Sequence, residues 1–229
     1  MKESKVIVAL DFDNRNSLDS FCEQVAPSDC KLKVGKELFT FFGPSLVKDL
    51  IQKGFDVFLD LKFHDIPNTV SRAVKAACDI GVWMTNVHSL GGSKMMEEAN
   101  KARLACGSKT NLIAVTMLTS HESSELLEIG INESISCQVE KLAAITFRSG
   151  LDGVVCSARE CAGLRGKFGK DFKLVTPGIR PSDDSRNDQS RVATPEVAIE
   201  SGSNYLVIGR PITQSEDPAS KLREINGLI

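Results

Sequence analysis

The chain has 229 residues, 41% of them hydrophobic and 25% charged, with a formal net charge of −2. That length builds one large α/β domain or two small ones, and the near-neutral charge gives no electrostatic case for nucleic acid or an anionic membrane as partner. No apolar run nears the ~20 residues of a spanning helix, and seven scattered cysteines without C-x-x-C spacing argue against a disulfide scaffold or a zinc site. The cysteines are expected to be buried free thiols in a reducing cytoplasm. Met1-Lys2-Glu3-Ser4-Lys5 leads straight into a strand and leaves no room for a signal peptide.

Val6-Ile7-Val8-Ala9-Leu10 is a continuous apolar run, the pattern of a strand buried on both faces, and it ends at Asp11. A helical stretch follows over 16–25. Lys31-Leu32-Lys33-Val34-Gly35 is the second strand, with Lys33 near its end. Pro44 opens a helix that Gly54 closes. The third strand, 56–61, carries Asp60, and alternation turns Asp60 and Lys62 to the same face. Pro67 cannot continue a central ladder and starts the next helix, which ends at Gly81.

Val82-Trp83-Met84-Thr85-Asn86-Val87 is the fourth strand, followed by His88, the break Gly91-Gly92 and a helix over 94–105. Leu112-Ile113-Ala114-Val115-Thr116 is the fifth, running into Leu118-Thr119-Ser120, and the helical region beyond it is strongest over 135–147. Gly153-Val154-Val155-Cys156 is the sixth, with a helix from about Ala158. Phe172-Lys173-Leu174-Val175 is the seventh, running into Thr176-Pro177-Gly178-Ile179-Arg180. The polar stretch 182–190 reads as a loop, and Thr194 and Pro195 supply an N-cap and an N1 proline. Tyr205-Leu206-Val207-Ile208 is the eighth strand, ending in Gly209-Arg210, and Asp217-Pro218 begins the last helix.

Eight strands, each followed by a helix, imply parallel strands with right-handed crossovers. Eight such units in ~250 residues match a closed (β/α)8 TIM barrel. A doubly wound open sheet is the runner-up, but no G-x-G-x-x-G follows the first strand. No linker or shift of composition divides the chain, so residues 1–229 are expected to form a single domain.

Active sites of such barrels lie at the C-terminal ends of the strands. That rule selects Asp11, Lys33, Asp60, Lys62, His88, Thr119, Pro177, Gly209 and Arg210. Lys33, Asp60, Lys62 and Asp65 suit an alternating array, in which each charge is flanked by its opposite and a lysine is held protonated. A structural salt bridge at the strand end is the competing reading. The loops after the seventh and eighth strands suit phosphate. Pro177-Gly178-Ile179-Arg180 and Gly209-Arg210 offer glycine backbone and arginine forks. The polar loop between Arg180 and Arg191 carries Gln189 and is long enough to cover a ligand; an exposed loop with ordinary surface arginines is the competing reading. His88 reads equally as structural or functional, His64 as facing the barrel exterior, and His121 as a surface residue. Three dispersed histidines make no metal triad.

Asp60-Leu61-Lys62-Phe63-His64-Asp65-Ile66-Pro67-Asn68-Thr69 matches the D-x-K-x-x-D-I-P-x-T signature of the orotidine 5′-phosphate decarboxylase family. Val8-Ala9-Leu10-Asp11, Leu32-Lys33-Val34-Gly35, Leu118-Thr119-Ser120, Thr176-Pro177-Gly178-Ile179-Arg180 and Val207-Ile208-Gly209-Arg210-Pro211 follow in the family's order. Over essentially its whole length the chain resembles the bacterial-type members. The resemblance implies cofactor-free, metal-free loss of CO2 from orotidine 5′-monophosphate to give UMP, the last step of de novo UMP synthesis, in a cytoplasmic homodimer with shared active sites. It implies Lys62 as proton donor to C6 of the pyrimidine. Lys33, Asp60, Lys62 and Asp65 would form the charged network, Asp65 coming from the other subunit. Asp11 and Thr69 would contact ribose hydroxyls, Thr69 also across the dimer, and Thr119 would meet the pyrimidine amide edge. Gln189 would join the loop to base and phosphate. Gly209 and Arg210 would hold the phosphate, with Arg180 supporting that end. Two alternatives stand beside this reading. One is a magnesium-dependent keto-sugar-phosphate decarboxylase or hexulose-phosphate synthase on the same barrel, whose members place a metal-binding glutamate where this chain has Lys33. The other is a non-catalytic barrel binding a phosphorylated ligand, which has no need of the Asp60/Lys62/Asp65 charge set.

Overall fold

The computed structural model describes residues 4–181 and 192–229. Strands and helices alternate from the first apolar run onward. In chain order they are β1 (Val6–Ala9), α1 (Arg15–Gln24), β2 (Lys31–Val34), α2 (Lys36–Gln52), β3 (Val57–Phe63), α3 (Pro67–Ile80) and β4 (Met84–His88). Then come α4 (Gly92–Ala105), β5 (Asn111–Val115), α5 (Ser123–Glu128), α6 (Ile135–Arg148), β6 (Gly153–Val155) and α7 (Ala158–Phe168). The last are β7 (Lys173–Thr176), α8 (Pro195–Glu200), β8 (Tyr205–Ile208), α9 (Arg210–Thr213) and α10 (Pro218–Gly227). The strands pair in sequential order, all parallel, and β1 pairs with β8 to close the barrel. This is the (β/α)8 architecture expected from the alternation.

Each strand divides its residues between two cores, because successive side chains face opposite ways. Val6, Val8, Leu32, Val57 and Leu59 pack outward among the helices. Ile7, Phe58, Met84, Ile113 and Val175 fill the barrel interior. Toward the N-terminal ends of the strands the interior is stoppered by Lys31, which is 4% exposed. Its ammonium pairs with Asp56 at 2.7 Å. It lies 4.5 Å from the Trp83 ring centroid and 5.9 Å from that of Tyr205, and the two rings meet edge to face at 5.0 Å. A buried lysine is tolerated there because a carboxylate and two aromatic faces stand in for water. Two residues farther along their strands, Ala9, Lys33, Asp60, Asn86 and Val115 form the layer at the opposite end. Gly153 allows β6 to approach β7: a Cβ there would lie 2.1 Å from the Lys173 carbonyl oxygen.

Some boundaries differ from the sequence expectation, each for a physical reason. α2 begins at Lys36, not Pro44; the two helical segments meet at Gly43, whose φ of 60° and ψ of −160° interrupt the spiral just before the proline. The first segment forms because Leu38 drops into the core. β3 continues to Phe63, two residues past the expected end. The short α9 went unanticipated, although Pro211 sits where a first-turn proline is tolerated. All seven cysteines are free, but Cys137 is exposed and Cys106 half-buried, so only the other five match the expected burial. Among the described residues, no helix is long and apolar enough to cross a membrane.

Candidate active site

The C-terminal end of the barrel opens into a cavity of about 480 Å³, within the usual range for small-molecule sites. One wall comes from β3, where the backbone departs from regularity. Its ladder with β4 pairs Leu59 with Thr85 and then Phe63 with Val87, so β3 carries two surplus residues over that span. Lys62 absorbs the surplus with φ 55°, the one positive φ outside glycine among the described residues. In an L-residue this conformation costs about 1–2 kcal/mol, and such outliers concentrate at functional sites. Alternation predicts that Asp60 and Lys62 share a face; the structure reaches the same meeting through a left-handed turn.

Lys62 Nζ donates to Asp60 Oδ1 at 2.7 Å. Lys33 Nζ lies 3.4 Å from Asp60 Oδ2 and 3.9 Å from Asp11 Oδ1. The alternating array within one chain is therefore Asp11, Lys33, Asp60, Lys62. Burial of Asp60 by itself would push its pKa up. The charges of Lys33 and Lys62, with hydrogen bonds from Lys62 and Asn86, override that and hold the carboxyl below the usual range. Asp60 thus places a permanent negative charge between two ammonium groups.

Asp65 does not join this array within its own chain. It is exposed, and its Oδ1 accepts the Ile66 N–H at 2.6 Å. Thr69, in the first turn of α3, is likewise exposed. Neither lines the cavity, whereas Asp11, Lys33, Asp60, Lys62 and Thr119 all do. The opposite wall is built by Pro177, Gly178 and Arg180 after β7 and by Gly209 and Arg210 after β8. Arg180 is buried, and its Nη1 donates to the Ile179 carbonyl at 2.9 Å. Backbone bonds from Arg180 N to Ala193 O at 3.0 Å and from Ala193 N to Gly178 O at 3.2 Å tie the end of β7 to the approach to α8. Gln189 and the rest of 182–191 lie outside the described residues. Gly209 leads into α9 so closely that a Cβ on it would lie 3.4 Å from Asp11 Oδ2. Phe58, Val155 and Val207 give the cavity an apolar floor.

Two residues here escape the strand-end rule. Gln214, just past α9, lines the cavity because that unforeseen helix turns it inward. Asn86 is fully buried and bonded to both Asp60 and Lys62. Its signal in the sequence was an asparagine inside a strand, where asparagine is depleted.

The histidines meet expectation only in part. His64 is exposed, but its ring stacks on that of His88 at 5.5 Å and 21°. His121 is half-buried rather than superficial. His88 Nδ1 accepts the Leu90 N–H at 3.4 Å. Burial, then the neighbouring charges of His64, His121, Lys62 and Lys36, push the His88 pKa down to about 4. His88 is therefore a neutral acceptor near pH 7, unsuited to donate a proton. Unfolding restores its ordinary affinity, so between about pH 6.5 and 4 the unfolded chain binds more protons and stability falls as pH falls. His88→Gln removes this contribution, and its thermal midpoint drops less than the parent's between pH 7 and pH 5. Equal drops in the two proteins, followed by circular dichroism, would show that His88 protonates freely in the fold.

A family model described as Orotidine 5′-phosphate decarboxylase / HUMPS family matches residues 4–225. The orotidine 5′-phosphate decarboxylase of Escherichia fergusonii is 55% identical over 228 residues, 99% of this chain and 93% of that protein. That of Tolumonas auensis is 57% identical over 228 residues, covering 99% and 98%. Among solved structures, the crystal structure of orotidine 5′-phosphate decarboxylase from Lactobacillus acidophilus matches with a TM-score of 0.89 at 41% identity, covering 99% of both chains.

Proposed function

The chain belongs to the orotidine 5′-phosphate decarboxylase / HUMPS family, and from that premise we infer that it decarboxylates orotidine 5′-monophosphate to UMP and CO2 in pyrimidine biosynthesis. The observation that carries this reading is the Lys62 ammonium, held 2.7 Å from the buried Asp60 carboxylate at the edge of the cavity. As the bond from C6 to the carboxylate breaks, its electron pair is left on C6. A fixed ammonium stabilises that charge as it develops. Lys62 then gives its proton to C6, UMP forms, and solvent reprotonates the amine. Lys33 and Asp60 keep the donor aimed. Asp11 takes a ribose hydroxyl and Thr119 the amide edge of the base. Gly209 and Arg210, supported by Arg180, take the phosphate, with Gln189 acting beside it. Phosphate lies remote from C6, and its binding energy can go into orienting the reacting end.

The site is completed across a homodimer in this reading, with Asp65 and Thr69 supplied to the neighbouring subunit. Supporting it, Asp65 faces solvent next to Ile66, which is 65% exposed, and the His64–His88 stack brings the 39%-exposed Leu90 to the same end. The enzyme is cytoplasmic and needs no cofactor or metal. The magnesium-dependent branch is disfavoured by Lys33: its ammonium, 3.4 Å from Asp60, repels a divalent cation from the carboxylate such an ion would need. An ultraviolet assay of orotidine 5′-monophosphate loss decides the matter. Turnover undiminished in excess EDTA supports the reading, and strict dependence on added Mg2+ overturns it. A fully active monomer in dilute solution would overturn the shared-site part.

A further inference from the structure

Asn86 stands in the middle of β4, 0% exposed, and both ends of its amide are engaged. Its Oδ1 accepts the backbone N–H of Lys62 at 2.7 Å, and its Nδ2 donates to Asp60 Oδ1 at 2.7 Å. The two bonds fix which way the amide faces, since only its oxygen can meet an N–H and only its NH2 can meet a carboxylate. They fall in the gap of the ladder, between Leu59 opposite Thr85 and Phe63 opposite Val87. There the Lys62 N–H has turned out of strand geometry, at φ 55°. The asparagine side chain supplies the bond that a neighbouring strand's backbone would otherwise make.

We propose that Asn86 is a positioning residue for the decarboxylation. It pins Lys62 in its left-handed turn and sets the rotation of the Asp60 carboxylate, so that the ammonium is presented toward the reacting carbon. The proposal rests on the roles given above to Lys62 and Asp60. Asn86 is not among the residues lining the cavity, so it acts through those two neighbours. Asp60 Oδ1 receives Lys62 Nζ and Asn86 Nδ2 together, while Oδ2 faces Lys33. With the amide donor gone, one of the bonds that orient the carboxylate is lost. With the amide acceptor gone, the Lys62 N–H loses this partner and the surplus residues of β3 are free to relax into another turn.

The test uses steady-state kinetics on the full-length enzyme. In Asn86→Ala, kcat for orotidine 5′-monophosphate falls about 100-fold, the effect expected of a small misplacement of reacting groups, while KM and UMP affinity stay near the parent's. Asn86→Asp gives a signature that lost packing cannot produce. Facing Asn86 are Asp60 and Lys62 of β3, with Lys33 of β2 behind Asp60, while β5 sets the uncharged Ile113 in register. At neutral pH the introduced carboxylate opposes Asp60, and activity is low. Once protonated, that group again offers a donor to Asp60 and an acceptor to Lys62, so kcat relative to the parent rises as pH falls. The proposal is overturned if folded Asn86→Ala keeps kcat within threefold of the parent. It is overturned equally if the Asn86→Asp pH profile runs parallel to the parent's. Should Asn86→Ala fail to fold, the isosteric Asn86→Asp profile carries the test. A parent enzyme that does not turn over the substrate, or that is indifferent to Lys62→Ala, would instead sink the underlying assignment.

Discussion

Replacing Lys62 by alanine lowers kcat for orotidine 5′-monophosphate by about 10⁴-fold or more and leaves UMP binding largely intact. The magnitude combines two losses. One oriented charge at a developing anion is worth about 10²–10³ in rate, and a positioned general acid about 10²–10⁴. UMP already carries hydrogen at C6 and has no carboxylate there, so its affinity depends on the rest of the cavity. Asp60 stays paired in the variant, because Lys33 at 3.4 Å and Asn86 at 2.7 Å remain. Alanine at φ 55° bears the same backbone cost as lysine, so loss of activity should not be loss of fold. Calorimetric titration with UMP, run beside a single-turnover assay, checks both halves. Turnover within about tenfold of the parent would remove Lys62 from the chemistry.

Arg210→Ala acts on binding. The arginine opens α9 at the cavity wall, beside the glycine that packs against Asp11. A charge-assisted bond to an anion contributes about 1.5–3 kcal/mol, so KM should rise by about one to two orders of magnitude. Affinity for UMP falls in parallel, while affinity for uridine, which has no phosphate, hardly moves. Part of the loss is expected in kcat, since binding energy at a remote group helps organise the reacting end. Equal effects on UMP and uridine would place the phosphate elsewhere.

The barrel was legible because its strands are short apolar runs punctuated by glycine and proline, and because the active-site rule needs only the order of strand ends. Thr194-Pro195 and Asp217-Pro218 marked helix starts correctly for the same reason: capping is local chemistry. What stayed hidden was decided by distant parts of the chain. Nothing in the sequence marks Lys62 for a left-handed conformation; the surplus in β3 exists only relative to β4. Asn86 became visible as a partner of Asp60 only once register set it across the strand gap. Spacing alone could not assign Asp65, because five residues from Asp60 it turns to solvent instead of into the cavity of its own chain. The Lys36 half of α2 was missed because its phenylalanines are weak helix formers, and helical form there follows from burying Leu38.

The Lys31–Trp83–Tyr205 stopper, beneath the packed Phe58 layer, has a consequence for traffic through the enzyme. Among the described residues it closes the barrel at that end and leaves the cavity to open through a doorway at the C-terminal ends of the strands. A departing nucleotide and its successor must therefore use the doorway in turn. UMP excludes fresh substrate for as long as it lingers, and however fast the bond to CO2 breaks, throughput cannot exceed the rate at which the doorway clears.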